Sequence, residues 1–153
     1  MHEAYIDMGE KPFAGELMDT NVIIEKVLSC FPALQALYLF GSSVIGGEHP
    51  GSDVDVAILL APEEAAQAGN MGMSDLRFDL EDALGKTVDL INLRTASTVL
   101  SKEIITEGKR IYTGDERSSE EFEVLTISLY QKLNDERGEI LDEFRKTGRA
   151  YKL

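Results

Sequence analysis

Three acids stand where strands should be apolar. Asp53 and Asp55 open the run Asp53-Val54-Asp55-Val56-Ala57-Ile58-Leu59-Leu60, and Asp89 interrupts Thr87-Val88-Asp89-Leu90-Ile91-Asn92-Leu93. Side chains alternate along a strand, so Asp53 and Asp55 point to one face with Ala57, and Val54, Val56, Ile58 and Leu60 take the other. Two carboxylates so close repel each other and resist desolvation, costs that a divalent cation between them offsets. Magnesium fits, because it prefers hard oxygen ligands and is usually shared between carboxylates and substrate phosphates. A third acid on a neighbouring strand makes room for two ions, one clamping a triphosphate and the other lowering the pKa of an attacking hydroxyl. Gly41-Ser42 follows the apolar run Ala36-Leu37-Tyr38-Leu39-Phe40. A glycine there lets backbone approach phosphate without a Cβ clash, and the Ser42 hydroxyl and the next amides can donate to phosphate oxygens. Catalysis of in-line attack on an α-phosphorus would then rest on positioning and charge neutralisation.

Each piece alone is weak, since Gly-Ser after a strand is usually a turn and Asp-x-Asp is usually a solvated strand end. The ordered set, with ten residues between Ser42 and Asp53 and a third acid downstream, is far more specific. A calcium loop of EF-hand type is excluded, because Ala57 and Ile58 fall where that loop needs a ligand and a glycine. No Gly-x-x-x-x-Gly-Lys-Ser/Thr phosphate loop occurs. Arg77, Arg94 and Lys102 flank the Asp89 strand at distances from which a cation could reach phosphate, but surface solvation is the commoner role for such residues. His49 reads as a loop histidine, and His2 carries no signal.

The elements that must position these residues follow from pattern and punctuation. Residues 1–18, with Gly9, Pro12 and Gly15, read as an irregular segment. Asp19 or Asn21 caps a helix through Ile23, Ile24, Val27 and Leu28 toward Pro32. Strands are expected at Ala36 to Phe40, Asp53 to Leu60 and Thr87 to Leu93, with a helical turn and loop over Ser43 to Ser52. One or two helices, broken near Gly69 and Gly72, place Leu76, Leu80 and Leu84 in register before Gly85. Ser97 caps a helix to Gly108, and Arg110 to Tyr112 read as a short edge strand. Residues 19–114 thus form one core of alternating strands and helices, and residues 115–153 are a C-terminal helical segment. In that segment Phe122, Leu125, Leu129, Leu133, Ile140 and Phe144 recur at helical spacing over Ser118 to about Lys146. So long a helix either bends at Gly138 or projects and offers a face to another chain.

A chain of 153 residues with 43% hydrophobic and 28% charged residues is the size and make-up of one globular domain. Its N-terminus lacks a basic start and apolar run, and a cytoplasmic location is expected. Cys30 is the single cysteine, so an intramolecular disulfide is impossible, and its apolar neighbours suggest burial. A formal charge of −13 with no Lys/Arg run argues against nucleic-acid binding.

Gly41-Ser42, ten residues, then Asp53-x-Asp55 resembles the signature of the polymerase-β-type nucleotidyltransferase superfamily. The chain is similar to its minimal branch, the MNT antitoxins of HEPN/MNT toxin–antitoxin modules. The likeness extends through Leu39-Phe40-Gly41-Ser42, Ser52-Asp53-Val54-Asp55-Val56-Ala57, Val88-Asp89-Leu90, Leu93 to Leu100, Gly108-Lys109, Thr126 to Gln131 and Glu136-Arg137. It implies a nucleotidyltransferase fold, an α/β chain with a small mixed β-sheet flanked by helices. It further implies an antitoxin that transfers AMP from ATP to a tyrosine of a cognate HEPN ribonuclease, its hetero-oligomeric partner. Gly41 and Ser42 would then hold the triphosphate, and Asp53, Asp55 and Asp89 would bind two Mg2+ ions, with Asp89 helping to deprotonate the incoming hydroxyl. Two other readings share the motif: a small-molecule nucleotidyltransferase of aminoglycoside-modifying type, and a toxin-binding module without catalysis. After Tyr112 the chain offers one long helix and no acceptor domain, which favours a protein acceptor.

Overall fold

The structure is a computed structural model that describes residues 5–6, 20–41, 53–72 and 74–147. The strands are β1 (Tyr5–Ile6), β2 (Ala36–Phe40), β3 (Val54–Leu59), β4 (Val88–Asn92) and β5 (Lys109–Thr113). The helices are α1 (Thr20–Cys30), α2 (Pro62–Ala68), α3 (Asp75–Leu84), α4 (Thr98–Glu107) and α5 (Glu116–Thr147), and a 3₁₀ turn, Leu93–Thr95, follows β4.

The strands form one mixed sheet in the order β1-β5-β2-β3-β4, antiparallel except for the β3–β4 pair. The parallel pair requires a crossover, which α2 and α3 supply. Alternation divides the core as the sequence implies. Val54, Val56, Ile58, Leu37, Leu39, Val88 and Leu90 pack with Ile23, Ile24, Val27, Leu76 and Leu80 on one face. Ala57, Leu59, Ala36 and Tyr38 pack with Ile104 and Phe122 on the other.

Several expectations are revised. Tyr5–Ile6, inside the segment read as irregular, pairs with Thr113 and Tyr112, so β5 is an inner strand and not the edge. Two residues are too few to show alternation, which is why pattern misses them. Asn21 lies inside α1, whereas Asp19 and the Ser43 to Ser52 turn fall outside the described residues. Cys30 is exposed because it ends α1 beyond the buried Ile23-Ile24-Val27 patch. α5 begins at Glu116, where the Asp115 carboxylate accepts hydrogen bonds from the Ser118 amide and hydroxyl, both 3.0 Å. Those bonds hold the Asp115 carboxyl below its ordinary pKa.

α5 runs as one helix of 32 residues through Gly138. Its first half is anchored. Phe122 and Thr126 are buried, the Tyr38 hydroxyl donates to Glu123 Oε2 at 2.5 Å, and Arg110 lies 3.7 Å from the same carboxylate. Burial, then the Glu123 carboxylate, push the Tyr38 phenol far up. From residue 131 to residue 146 the side chains are exposed apart from Gly138, so this half projects, and Leu133, Ile140, Leu141 and Phe144 stand in solvent.

Candidate active site

The sheet gathers the acids at one end. β2 ends at Phe40 and β3 runs antiparallel to it, so the start of β3 lies beside the end of β2, with Asp55 opposite Phe40. Because β4 is parallel to β3, its start lies there too, with Asp89 directly opposite Asp55. Opposed residues share a face. Asp55 and Asp89 therefore extend the row of Ala57 and Ile91, on the side covered by α4 and α5, at the sheet end where the floor becomes polar. Asp53 immediately precedes β3 and is exposed, as is Asp89, and Asp55 is half-buried.

The three carboxylates repel one another at this end of the sheet. The Asp55 carboxyl is held above its ordinary pKa first by burial, then by the negative charges of Asp89 and Asp53, and all three causes push the same way. Among the described residues no group of three or more acids, histidines or cysteines is placed so as to hold a metal ion by itself. Magnesium usually takes one or two carboxylates and completes its octahedron with water and phosphate, so an open, mutually repelling acid set fits that ion when substrate is bound.

Gly41 is wedged against the same carboxyl. Its φ is +73°, and a Cβ there would sit 2.2 Å from Asp55 Oδ2. Only glycine satisfies both the left-handed turn and the close approach. Ser42, expected beside it, lies outside the described residues, as does His49.

The candidate cations are engaged elsewhere. Arg94 Nε donates to the Leu60 carbonyl at 2.6 Å, its Nη2 donates to Gln35 Oε1 at 2.8 Å, and the guanidinium lies 5.3 Å from the Phe122 ring centroid. Arg94 thus ties β3 and α5 together instead of being solvated, and burial lowers its pKa. Lys102 Nζ lies 4.8 Å from the Tyr130 ring centroid, linking α4 to α5. Arg77 Nε donates to the Val88 carbonyl at 2.9 Å and its Nη2 lies 3.1 Å from Glu81 Oε2. Sequence reasoning did not reach Glu81, whose only signal was its i,i+4 spacing from Arg77.

Residues 23–117 match the family model described as "Polymerase beta, Nucleotidyltransferase". The chain is 40% identical over 126 residues to the protein adenylyltransferase MntA of Shewanella oneidensis, covering 82% of this chain and 87% of that one. It resembles a crystal structure of a toxin–antitoxin with AMP-PNP, with 38% identity, a TM-score of 0.66, and coverage of 84% of this chain and 99% of the other. It also resembles the antitoxin-bound structure of a tri-AMPylated Shewanella oneidensis HEPN toxin in complex with MNT antitoxin, at 35% identity and TM-score 0.60, covering 85% and 98% of the two chains. With the acid triad, the glycine wedge and the mixed sheet in agreement, this chain belongs to the polymerase β nucleotidyltransferase family.

Proposed function

We propose that this protein is an antitoxin that transfers AMP from ATP to a tyrosine of a cognate HEPN ribonuclease and so silences it. The observation that carries the reading is the register of Asp55 opposite Asp89, with Gly41 packed on the Asp55 carboxyl. This supports a triphosphate site in which Gly41, with Ser42 assigned from the sequence alone, would hold the phosphates, and Asp53, Asp55 and Asp89 would hold the metal ions. Two magnesium ions, when bound, would supply charge neutralisation on the phosphates and activation of the attacking hydroxyl. The chain's own part is to hold those ligands before substrate arrives. Gly41 keeps the backbone close to the Asp55 carboxyl. Asp89, the more exposed of the facing pair, is on this reading the group that would accept the proton of an incoming tyrosine hydroxyl.

The acceptor half of the reaction comes from the partner. The projecting half of α5, with Leu133, Ile140 and Phe144 exposed, supports a role for residues 115–153 in that partner's interface. None of the described helices is long and apolar enough to cross a membrane.

The test is purified protein with magnesium, labelled ATP and the co-expressed HEPN partner. Label is expected on a partner tyrosine, and Asp53→Asn or Asp55→Asn is expected to lower transfer by roughly a hundredfold or more. Label on an aminocyclitol in place of protein supports a small-molecule acceptor. Full neutralisation of the toxin by the double variant without transfer supports docking alone.

A further inference from the structure

We infer that Arg77 and Glu81 form a positioning clamp that sets the Asp89 carboxylate against Asp55, and the inference rests on the metal-site reading of those acids. In the parallel β3–β4 ladder the Val54 amide donates to the Thr87 carbonyl at 2.8 Å. The ladder therefore uses the peptide groups on either side of Val88, and the amide and carbonyl of Val88 itself point outward, away from β3. Both are taken by one helix. Glu81 Oε2 accepts from the Val88 amide at 2.9 Å, and Arg77 Nε donates to the Val88 carbonyl at 2.9 Å. The two side chains are joined to each other at 3.1 Å, so a closed ring of charge-assisted contacts holds the residue immediately before Asp89.

The helix that carries the clamp is itself fixed at both ends. Ser74 Oγ caps α3 by accepting from the Arg77 amide at 3.2 Å, and Gly85, at φ 68°, ends it. The Gly85 amide bonds the Glu81 carbonyl at 2.8 Å, and only Gly85, Lys86 and Thr87 separate α3 from β4. The i,i+4 spacing then delivers both side chains to the same residue of the strand. Arg77 also lies 5.2 Å from the Phe78 ring centroid, which limits its swing.

As a half-buried ion pair this arrangement adds only modest stability, because its two side chains keep 23% and 24% of their accessible surface in solvent. Its effect is directional. β4 is the outer strand of the sheet, so its main chain pairs with a strand on one side only; Asn92 Nδ2 holds its far end to the Ala65 and Gly69 carbonyls, and the end that carries Asp89 is freer to roll. Such a roll would turn Asp89 away from Asp55 while easing Val88 out of the core. The Arg77–Glu81 ring supplies main-chain partners on the second side at Val88, the residue next to Asp89.

The experiment measures Mn2+ binding to the protein in complex with AMP-PNP, by electron paramagnetic resonance, with no acceptor present. Arg77→Met is expected to raise the Mn2+ dissociation constant roughly tenfold to a hundredfold, the usual effect of losing a group that orients a metal ligand. Ser97→Ala removes the α4 cap, made by Ser97 Oγ accepting from the Leu100 amide at 3.1 Å, and serves as a destabilised control whose Mn2+ affinity is expected to stay unchanged. Glu81→Gln keeps an oxygen for the Val88 amide but loses the ion pair, and is expected to shift Mn2+ affinity in the same direction and speed Val88 amide hydrogen exchange. An Arg77→Met dissociation constant within about twofold of wild type overturns the clamp. Should Arg77→Met not fold, unchanged Mn2+ affinity and unchanged Val88 exchange in Glu81→Gln overturn it instead. Asp55→Asn binding Mn2+ as tightly as wild type overturns the metal-site reading and the clamp with it, whereas loss in Asp55→Asn alone overturns only the clamp.

Discussion

Replacing Gly41 by alanine separates stability from chemistry at this site. A Cβ at φ +73° costs about 1–2 kcal/mol as a left-handed residue. The same Cβ would lie 2.2 Å from Asp55 Oδ2, more than 1 Å short of ordinary contact. The end of an aspartate side chain can swing aside, so the fold loses little beyond the backbone cost, a fall in Tm of roughly 3–6 °C for a domain of this size. The active site has no such freedom, because a displacement near 1 Å in a positioned group costs on the order of a hundredfold in rate. Gly85→Ala is the matched control: φ there is +68° and nothing lies within 4 Å of its would-be Cβ. The assay is transfer of labelled AMP beside thermal unfolding for both variants. Similar losses of Tm are expected, with transfer collapsing only in Gly41→Ala. Transfer by Gly41→Ala at more than about half the wild-type rate would refute the wedge argument.

Other consequences can be tested together. Because the Asp55 pKa is raised in the metal-free fold, its stability contribution is full below the ordinary aspartate value and is lost as pH rises through the raised one. Thermal melts in chelator from about pH 4 to about pH 8 should therefore show Asp55→Asn gaining on wild type toward neutral pH, and a constant difference would contradict the charge repulsion. Tyr38→Phe removes the bond to Glu123 and should cost about 1.5–3 kcal/mol by chemical denaturation without altering AMP transfer. Replacing Leu133, Ile140 and Phe144 with serine should leave Tm within about 1–2 °C of wild type yet abolish co-purification of the HEPN partner; retained complex would remove α5 from the interface.

The grouping of the candidate acids was legible in the sequence because strand alternation puts Asp53 and Asp55 on one face and Asp89 interrupts a strand of its own. The structure adds the register, Asp55 opposite Asp89, which no pattern within one strand can specify. Arg94 was misjudged because its partners, the Leu60 carbonyl and Gln35, are 34 and 59 residues away in sequence. The Arg77–Glu81 ring was unreadable for the same reason: the spacing was visible, but that α3 lies beside the outer edge of β4 is a tertiary fact. β5 was placed at the edge because its neighbour Tyr5–Ile6 carries too short a pattern to announce itself. The beginning of α5 was misplaced through overlooking Asp115 as a cap, although its residue type advertised that role.

The outer half of α5 has a consequence for how long the protein lasts. From residue 131 to residue 146 the side chains lie in solvent apart from Gly138, so helicity there rests on local hydrogen bonds and side-chain pairs such as Arg145 with Asp142 at 3.7 Å. Helices of about 12–15 residues without tertiary support are marginal in water. This segment therefore opens and closes as a local equilibrium, and whatever covers its apolar stripe shifts that equilibrium toward helix. Opened, it is an extended peptide that a protease can engage; covered, it is not. The chain's resistance to proteolysis is therefore expected to rise when this face is covered, an outcome that limited digestion with and without a bound partner would read.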